Sequence, residues 1–186
     1  MTVVSNASPI INLDAVGHLD LLRELYDEVL IPPAVYKEVT AAPEKPGAGA
    51  VQGKNWVTRR SLKRPRLASA LLDELDPGEA QAIALAVETD VELLLLDEQA
   101  ERHAACRLEV DHVGTLGVLL EAKHADHISQ VRPLLDALRS EAGFWIGDPL
   151  YEKMLDLAGE DAPRSPMPER RRTPIPRKTT ACVKCL

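Results

Sequence analysis

The sequence predicts an α/β fold, a three-layer α/β/α arrangement around a mainly parallel sheet. Three observations carry this. Short apolar segments of strand length alternate with helical spacing along residues 1–159. Four consecutive leucines, Leu93 to Leu96, show no alternation, the pattern of a central parallel strand covered on both faces. A chain of 186 residues, 45% apolar and 27% charged, is long enough for one domain of this class plus a tail.

Taken in order, residues 2–5 form a strand that runs into the turn-prone Asn6-Ala7-Ser8-Pro9. Ser8 followed by Pro9 reads as an N-cap with proline at the first helical position. An amphipathic helix over residues 18–26 leads to a strand at 28–31, stopped by Pro32-Pro33, and a helix carrying Val35, Glu38 and Val39 follows. Residues 41–54 turn to Pro, Gly and Ala, a loop composition, and 56–60 is a short strand after it. The basic cluster Arg59, Arg60, Lys63, Arg64 and Arg66 leads to a helix at 68–75. Asp76-Pro77-Gly78-Glu79 opens an alanine-rich helix, 91–96 is the clearest strand, and it ends at Asp97. A helix, a strand at 110–113, Gly114-Thr115 and helices at 116–123, 131–142 and 148–158 complete the domain.

From residue 160 to 186 the chain is Pro- and Arg-rich without apolar periodicity, and is read as a disordered tail outside the fold. Residues 161–186 carry plus 5, so the net charge of minus 7 leaves minus 12 on residues 1–160. That acidity excludes a general binder covering duplex phosphates with a basic face, and six aromatic residues are too few for a stacking platform. The first basic residue is Arg23, so no cationic signal-peptide start is read, and no apolar run is long enough to span a bilayer. A soluble cytoplasmic protein without membrane contact is expected.

In parallel sheets ligands gather at the carboxyl ends of the strands. Asn6 follows the first strand, Glu38 the second, Glu79 opens the alanine-rich helix and Asp97 ends the leucine strand, so the four are expected on one rim. Clustered carboxylates repel unless a cation neutralises them. Oxygen-only donors suit Mg²⁺ or Mn²⁺, and the chemistry best served is in-line phosphodiester hydrolysis. Each residue also has a structural reading. Glu79 stands three after Asp76 in the spacing of a capping box, Glu38 can be a solvated helix residue, and Asn6 can simply begin a turn. His103 and Cys106 with His112, His124 and His127 have irregular spacing for zinc, and Cys182 with Cys185 is half a zinc site.

The stretches 3–13 (VVSNASPIINL), 29–32 with 35–39 (VLIP, VYKEV), 75–86 (LDPGEAQAIALA), 94–98 with Arg102 (LLLDE) and 113–119 (VGTLGVL) resemble, in this order, the PIN-domain proteins of the DUF3368 group. The resemblance covers roughly residues 2–150. It implies a PIN-like fold and a metal-dependent endoribonuclease, commonly the VapC-like toxin of a type II toxin–antitoxin pair. Its matching acidic positions fall on Asn6, Glu38, Glu79 and Asp97, with Asn6, Glu79 and Asp97 holding Mg²⁺ or Mn²⁺ and Glu38 completing the site or orienting water. Ser8 and Thr115 match hydroxyl positions beside it. Asn6 departs from the usual Asp, although Asn also occurs there within the group. RNA is the implied substrate, with Arg59, Arg60, Lys63, Arg64, Arg66 and Arg102 as candidate backbone contacts. An antitoxin is the implied protein partner, and a homodimer is compatible with the same reading. The rival readings are a non-catalytic PIN module that binds RNA or a protein, its metal site weakened by Asn6, and a receiver-like domain. The latter expects a pair of acids after the first strand, which Asn6-Ala7 does not supply.

Overall fold

The computed structural model describes residues 1–41, 46, 47, 49 and 51–160. The basic tail with Cys182 and Cys185, and part of the loop at 41–54, lie outside the described residues. The strands are β1 (Thr2–Ser5), β2 (Glu28–Ile31), β3 (Val57–Arg59), β4 (Leu93–Leu95) and β5 (His112–Val113). All pair in parallel, in the order β3-β2-β1-β4-β5. The described helices are α1 (Ala7–Ala15), α2 (Leu21–Leu25), α3 (Pro33–Val39), α4 (Arg66–Leu71), α5 (Pro77–Thr89), α6 (Gln99–Arg107), α7 (Thr115–His124), α8 (Arg132–Ser140) and α9 (Asp148–Leu157).

The centre of the sheet is apolar on both faces because β1 and β4 contribute Val3, Val4, Leu94 and Leu95, none of them exposed. That total burial is the environment the leucine run requires. Helices α1, α2 and α7 pack together, as do α4, α5 and α6, giving the two outer layers. Helix α3 touches both α1 and α5, so the second turn of α3 lies beside the start of α5. Among the described residues no helix is long and apolar enough to cross a membrane.

Several element ends differ from the sequence expectation. Helix α1 begins at Ala7 with Asn6, not Ser8, as its N-cap, because the Asn6 N–H makes the last ladder bond to the Leu95 carbonyl at 2.9 Å and the chain turns immediately after it. Pro9 then falls within the first turn, where a missing N–H leaves no intrahelical bond unmade. Helix α4 starts at Arg66 and ends at Leu71, and β4 spans only Leu93–Leu95.

The strand order reverses at β1 and β4, which are neighbours in space but far apart in sequence. In doubly wound sheets this switch point opens a crevice at the carboxyl edge. Helices α1 and α6 leave β1 and β4 there, and α5, running back toward β4, starts at the same edge.

Candidate active site

Asn6 sits at the mouth of this crevice, 3% exposed, at the end of β1. Its Nδ2 donates to Glu101 Oε1, and its Oδ1 is buried with no hydrogen-bond partner. A buried acceptor left unpaired costs about 1–3 kcal/mol, so the orientation marks a place where a donor or a cation fits. Gly78, in the first turn of α5, keeps the space in front of it open. A Cβ at Gly78 would lie 2.7 Å from Glu38 Oε2 and 3.5 Å from Asn6 Oδ1. Two oxygens from different layers therefore converge on one spot beside a glycine.

The cavity around that spot has a volume of about 470 Å³ and is lined by Asn6, Ser8, Lys37, Glu38, Asp76, Glu79 and Glu98, among others. Capping boxes open both α5 and α6. Glu79 Oε2 accepts the Asp76 N–H at 2.8 Å, and Glu101 Oε2 accepts the Glu98 N–H at 3.1 Å. The capping and the active-site readings of Glu79 thus describe one geometry, since the cap holds its carboxylate at the rim. Helix N-termini facing the cavity partly offset the negative charge.

The rim remains strained electrostatically. Burial, then the charges of Asp76, Glu79 and Glu98, raise the Glu38 pKa above the ordinary carboxylate range. Glu79 is raised by burial and by Glu98 and Asp76, against the lowering effect of the Asp76 N–H. Glu101 is pushed up to about 8, chiefly by burial, with the charges of Glu79, Glu98 and Asp97 adding to it. Among the described residues no three His, Cys, Asp or Glu side chains form a ready-made metal cage, the His103–Cys106 region included. The caps hold the rim acids apart, and the donor set that does converge is oxygen-only, with a neutral amide at its centre. Those oxygens, one of them orphaned, fit a hard divalent cation.

Asp97 does not line this cavity. Its Oδ1 accepts the Thr115 N–H at 2.8 Å, and its Oδ2 accepts both the Thr115 hydroxyl at 2.6 Å and Asn12 Nδ2 at 3.0 Å. Arg102 Nε reaches the Asp97 carbonyl at 3.4 Å. Burial raises the Asp97 pKa while the Thr115, Asn12 and Arg102 contacts oppose the rise. Ser8 lines the cavity, whereas Thr115 is fully buried against Asp97.

The basic cluster is divided. The Arg59 guanidinium lies 5.1 Å from the Tyr36 ring centroid on α3, the helix that also gives Lys37 and Glu38 to the acidic cavity. Arg60, Lys63 and Arg64 line a separate cavity of about 670 Å³ with Glu88, near the other end of α5, where the Lys63 and Arg64 N–H groups bond the Glu88 carboxylate. Arg66 sits on a further surface with Lys63 and Arg64. Residue-by-residue reading of the sequence missed Asp76, Glu98 and Lys37 as residues lining the cavity, and Glu101 as the buried partner of Asn6. The signal for the two glutamates was present, since Glu98 and Glu101 have the same i, i+3 spacing as Asp76 and Glu79.

No curated protein and no solved structure matches the chain. The profile of the family DUF3368, described as a PIN domain, matches residues 2–160. That match spans every described strand and helix together with the whole carboxyl-edge rim, and the chain belongs to the DUF3368 family of PIN-domain proteins.

Proposed function

We propose that the chain is a metal-dependent endoribonuclease that hydrolyses RNA phosphodiester bonds with Mg²⁺ or Mn²⁺. The observation that supports it most is the convergence of the orphaned Asn6 Oδ1 and Glu38 Oε2 on the open spot beside Gly78, in a cavity that also holds Glu79 and Glu98. Asn6, Glu79 and a carboxylate from the end of β4 would hold the ion. When bound, it supplies the charge that offsets rim repulsion and stabilises the oxygen leaving phosphorus.

The chain's own groups account for the rest. Glu38, whose carboxyl burial and the neighbouring acids raise above the ordinary range, would orient water and take its proton at Oε2. Lys37 on the cavity wall and Arg59 on Tyr36 are placed to meet phosphate oxygens of a single strand. The family supports the further reading of a toxin, with an antitoxin as protein partner and a cytoplasmic RNA target.

Incubating the full chain with single-stranded RNA and Mn²⁺ tests the enzyme reading, with EDTA as the control. Cleavage that stops with EDTA supports it. RNA that binds but stays intact in Mn²⁺ favours the non-catalytic module, the reading that Asn6 in place of an acid supports. Expression of the chain in a bacterium, against Glu38→Gln, tests the toxin role: growth arrest confined to the parent supports it, and equal growth contradicts it.

A further inference from the structure

The end of β4 offers two adjacent acids, Asp97 and Glu98, and the structure gives them opposite tasks. Both Asp97 oxygens accept hydrogen bonds. Three donors, the Thr115 N–H, the Thr115 hydroxyl and Asn12 Nδ2, converge on them at 2.6–3.0 Å. These bonds join the end of β4 to the first turn of α7 and the middle of α1. Asp97 does not line the acidic cavity, whereas Glu98 lines it together with Asn6, Glu38 and Glu79.

Glu98 is exposed, with no ion pair among the described residues, and its hydrogen-bonding role there is the capping box at the start of α6. The second, independent mark of a ligand is the buried, unpartnered Asn6 Oδ1 that opens into the same cavity.

We propose that Glu98, and not Asp97, is the carboxylate that the end of β4 gives to the cation, and that Asp97 is a tie holding β4, α7 and α1 in register. The proposal rests on the metal-dependent reading above. A cation bound through Asp97 would compete with three hydrogen bonds that already engage both of its oxygens. One bound through Glu98 gains a charged oxygen ligand without that competition.

The test is calorimetric titration of Mn²⁺ into the full chain, beside melting curves in metal-free buffer, for the parent, E98Q, D97N and T115V. Glutamine keeps an oxygen to cap α6, so E98Q is expected to melt with the parent and to bind Mn²⁺ about tenfold more weakly. Asparagine at position 97 sets an amide against Asn12 Nδ2, so D97N is expected to melt about 5 °C or more lower while keeping Mn²⁺ affinity within about twofold. T115V removes one tie donor, and is expected to melt lower with unchanged affinity; it carries this half of the test if D97N does not fold. Parent-like Mn²⁺ binding in E98Q overturns the proposal alone, as does a tenfold loss in D97N or T115V with unchanged melting. A parent chain that binds no Mn²⁺ at millimolar concentration overturns the metal reading itself, and the assignment of Glu98 with it.

Discussion

Asn6 donates through Nδ2 to Glu101 Oε1 and is left with Oδ1 buried and unpaired. One side chain therefore satisfies a buried acid on one side and presents a bare oxygen to the cavity on the other. An aspartate offers Glu101 no donor, so the same contact would need a proton or a cation between the two carboxylates.

Above pH 8, where Glu101 is ionised, Asn6→Asp is expected to lower metal-free stability by about 1–3 kcal/mol, since it removes a donor to Glu101 and adds a like charge. The same change is expected to tighten Mn²⁺ binding, and saturating Mn²⁺ to restore the melting temperature by mass action. Melting curves with and without Mn²⁺ read both effects. Unchanged melting and unchanged affinity would show that residue 6 is not coupled to the rim.

Gly78→Ala separates binding from stability. Its Cβ would press on the far end of the flexible Glu38 side chain, 2.7 Å away, which moves at small cost. Alanine also favours the helix, by at most about 1 kcal/mol. Melting is expected to stay level or rise slightly, while Mn²⁺ affinity falls severalfold as Glu38 Oε2 is displaced. Parent-like affinity would remove Gly78 and Glu38 from the cation site.

The raised acids give the metal-free chain a characteristic pH response. Glu101 has a folded pKa of about 8, well above the ordinary carboxylate value of an unfolded chain. Between those values the unfolded state holds fewer protons, so stability falls as pH rises, by at most about 1.4 kcal/mol per unit, and levels off above pH 8. Glu38, Glu79 and Asp97 are raised in the same direction. Glu101→Gln removes one titrating group, so the parent is expected to lose stability relative to this variant between pH 5.5 and 8.5. Parallel melting-temperature profiles for the two proteins would contradict the assignment.

The sheet was legible because the pattern that encodes it is local: the unalternating leucines of β4 and the proline stop after β2 each report burial or termination within a few residues. Asn6, Glu38 and Glu79 were legible as rim residues because each sits at a strand end or helix start, and the chain's topology carries those to one edge. The different surroundings of Asp97 and Glu98 were not legible. They depend on Thr115 and Asn12 reaching Asp97 from two other elements, contacts separated in sequence by 18 and 85 residues. The splitting of the basic cluster was hidden for a related reason. Arg59 and Lys63 are close in sequence, yet the chain leaves the sheet between them and carries Lys63 to the far end of α5.

RNA affinity is expected to follow that division. Glu79 and Glu88 are nine residues apart on α5, about 13 Å along its axis. Arg59→Ala is expected to weaken binding of single-stranded RNA and reduce the dependence of log affinity on log salt by close to one. Lys63→Ala is expected to change neither. Filter binding at several salt concentrations decides, and the reverse ranking would place the RNA track near Glu88 instead.

The central claim, that the cavity beside Gly78 is where RNA is cut, is tested most directly by single-turnover cleavage of a labelled single-stranded RNA in Mn²⁺, comparing the parent with Glu38→Gln. The expected result is cleavage by the parent, abolished by EDTA and restored by added Mn²⁺. The variant should be at least about a hundredfold slower while melting at or above the parent temperature, because one of the repelling rim charges is gone. Cleavage at the parent rate by Glu38→Gln, or cleavage that persists in EDTA, would contradict the claim.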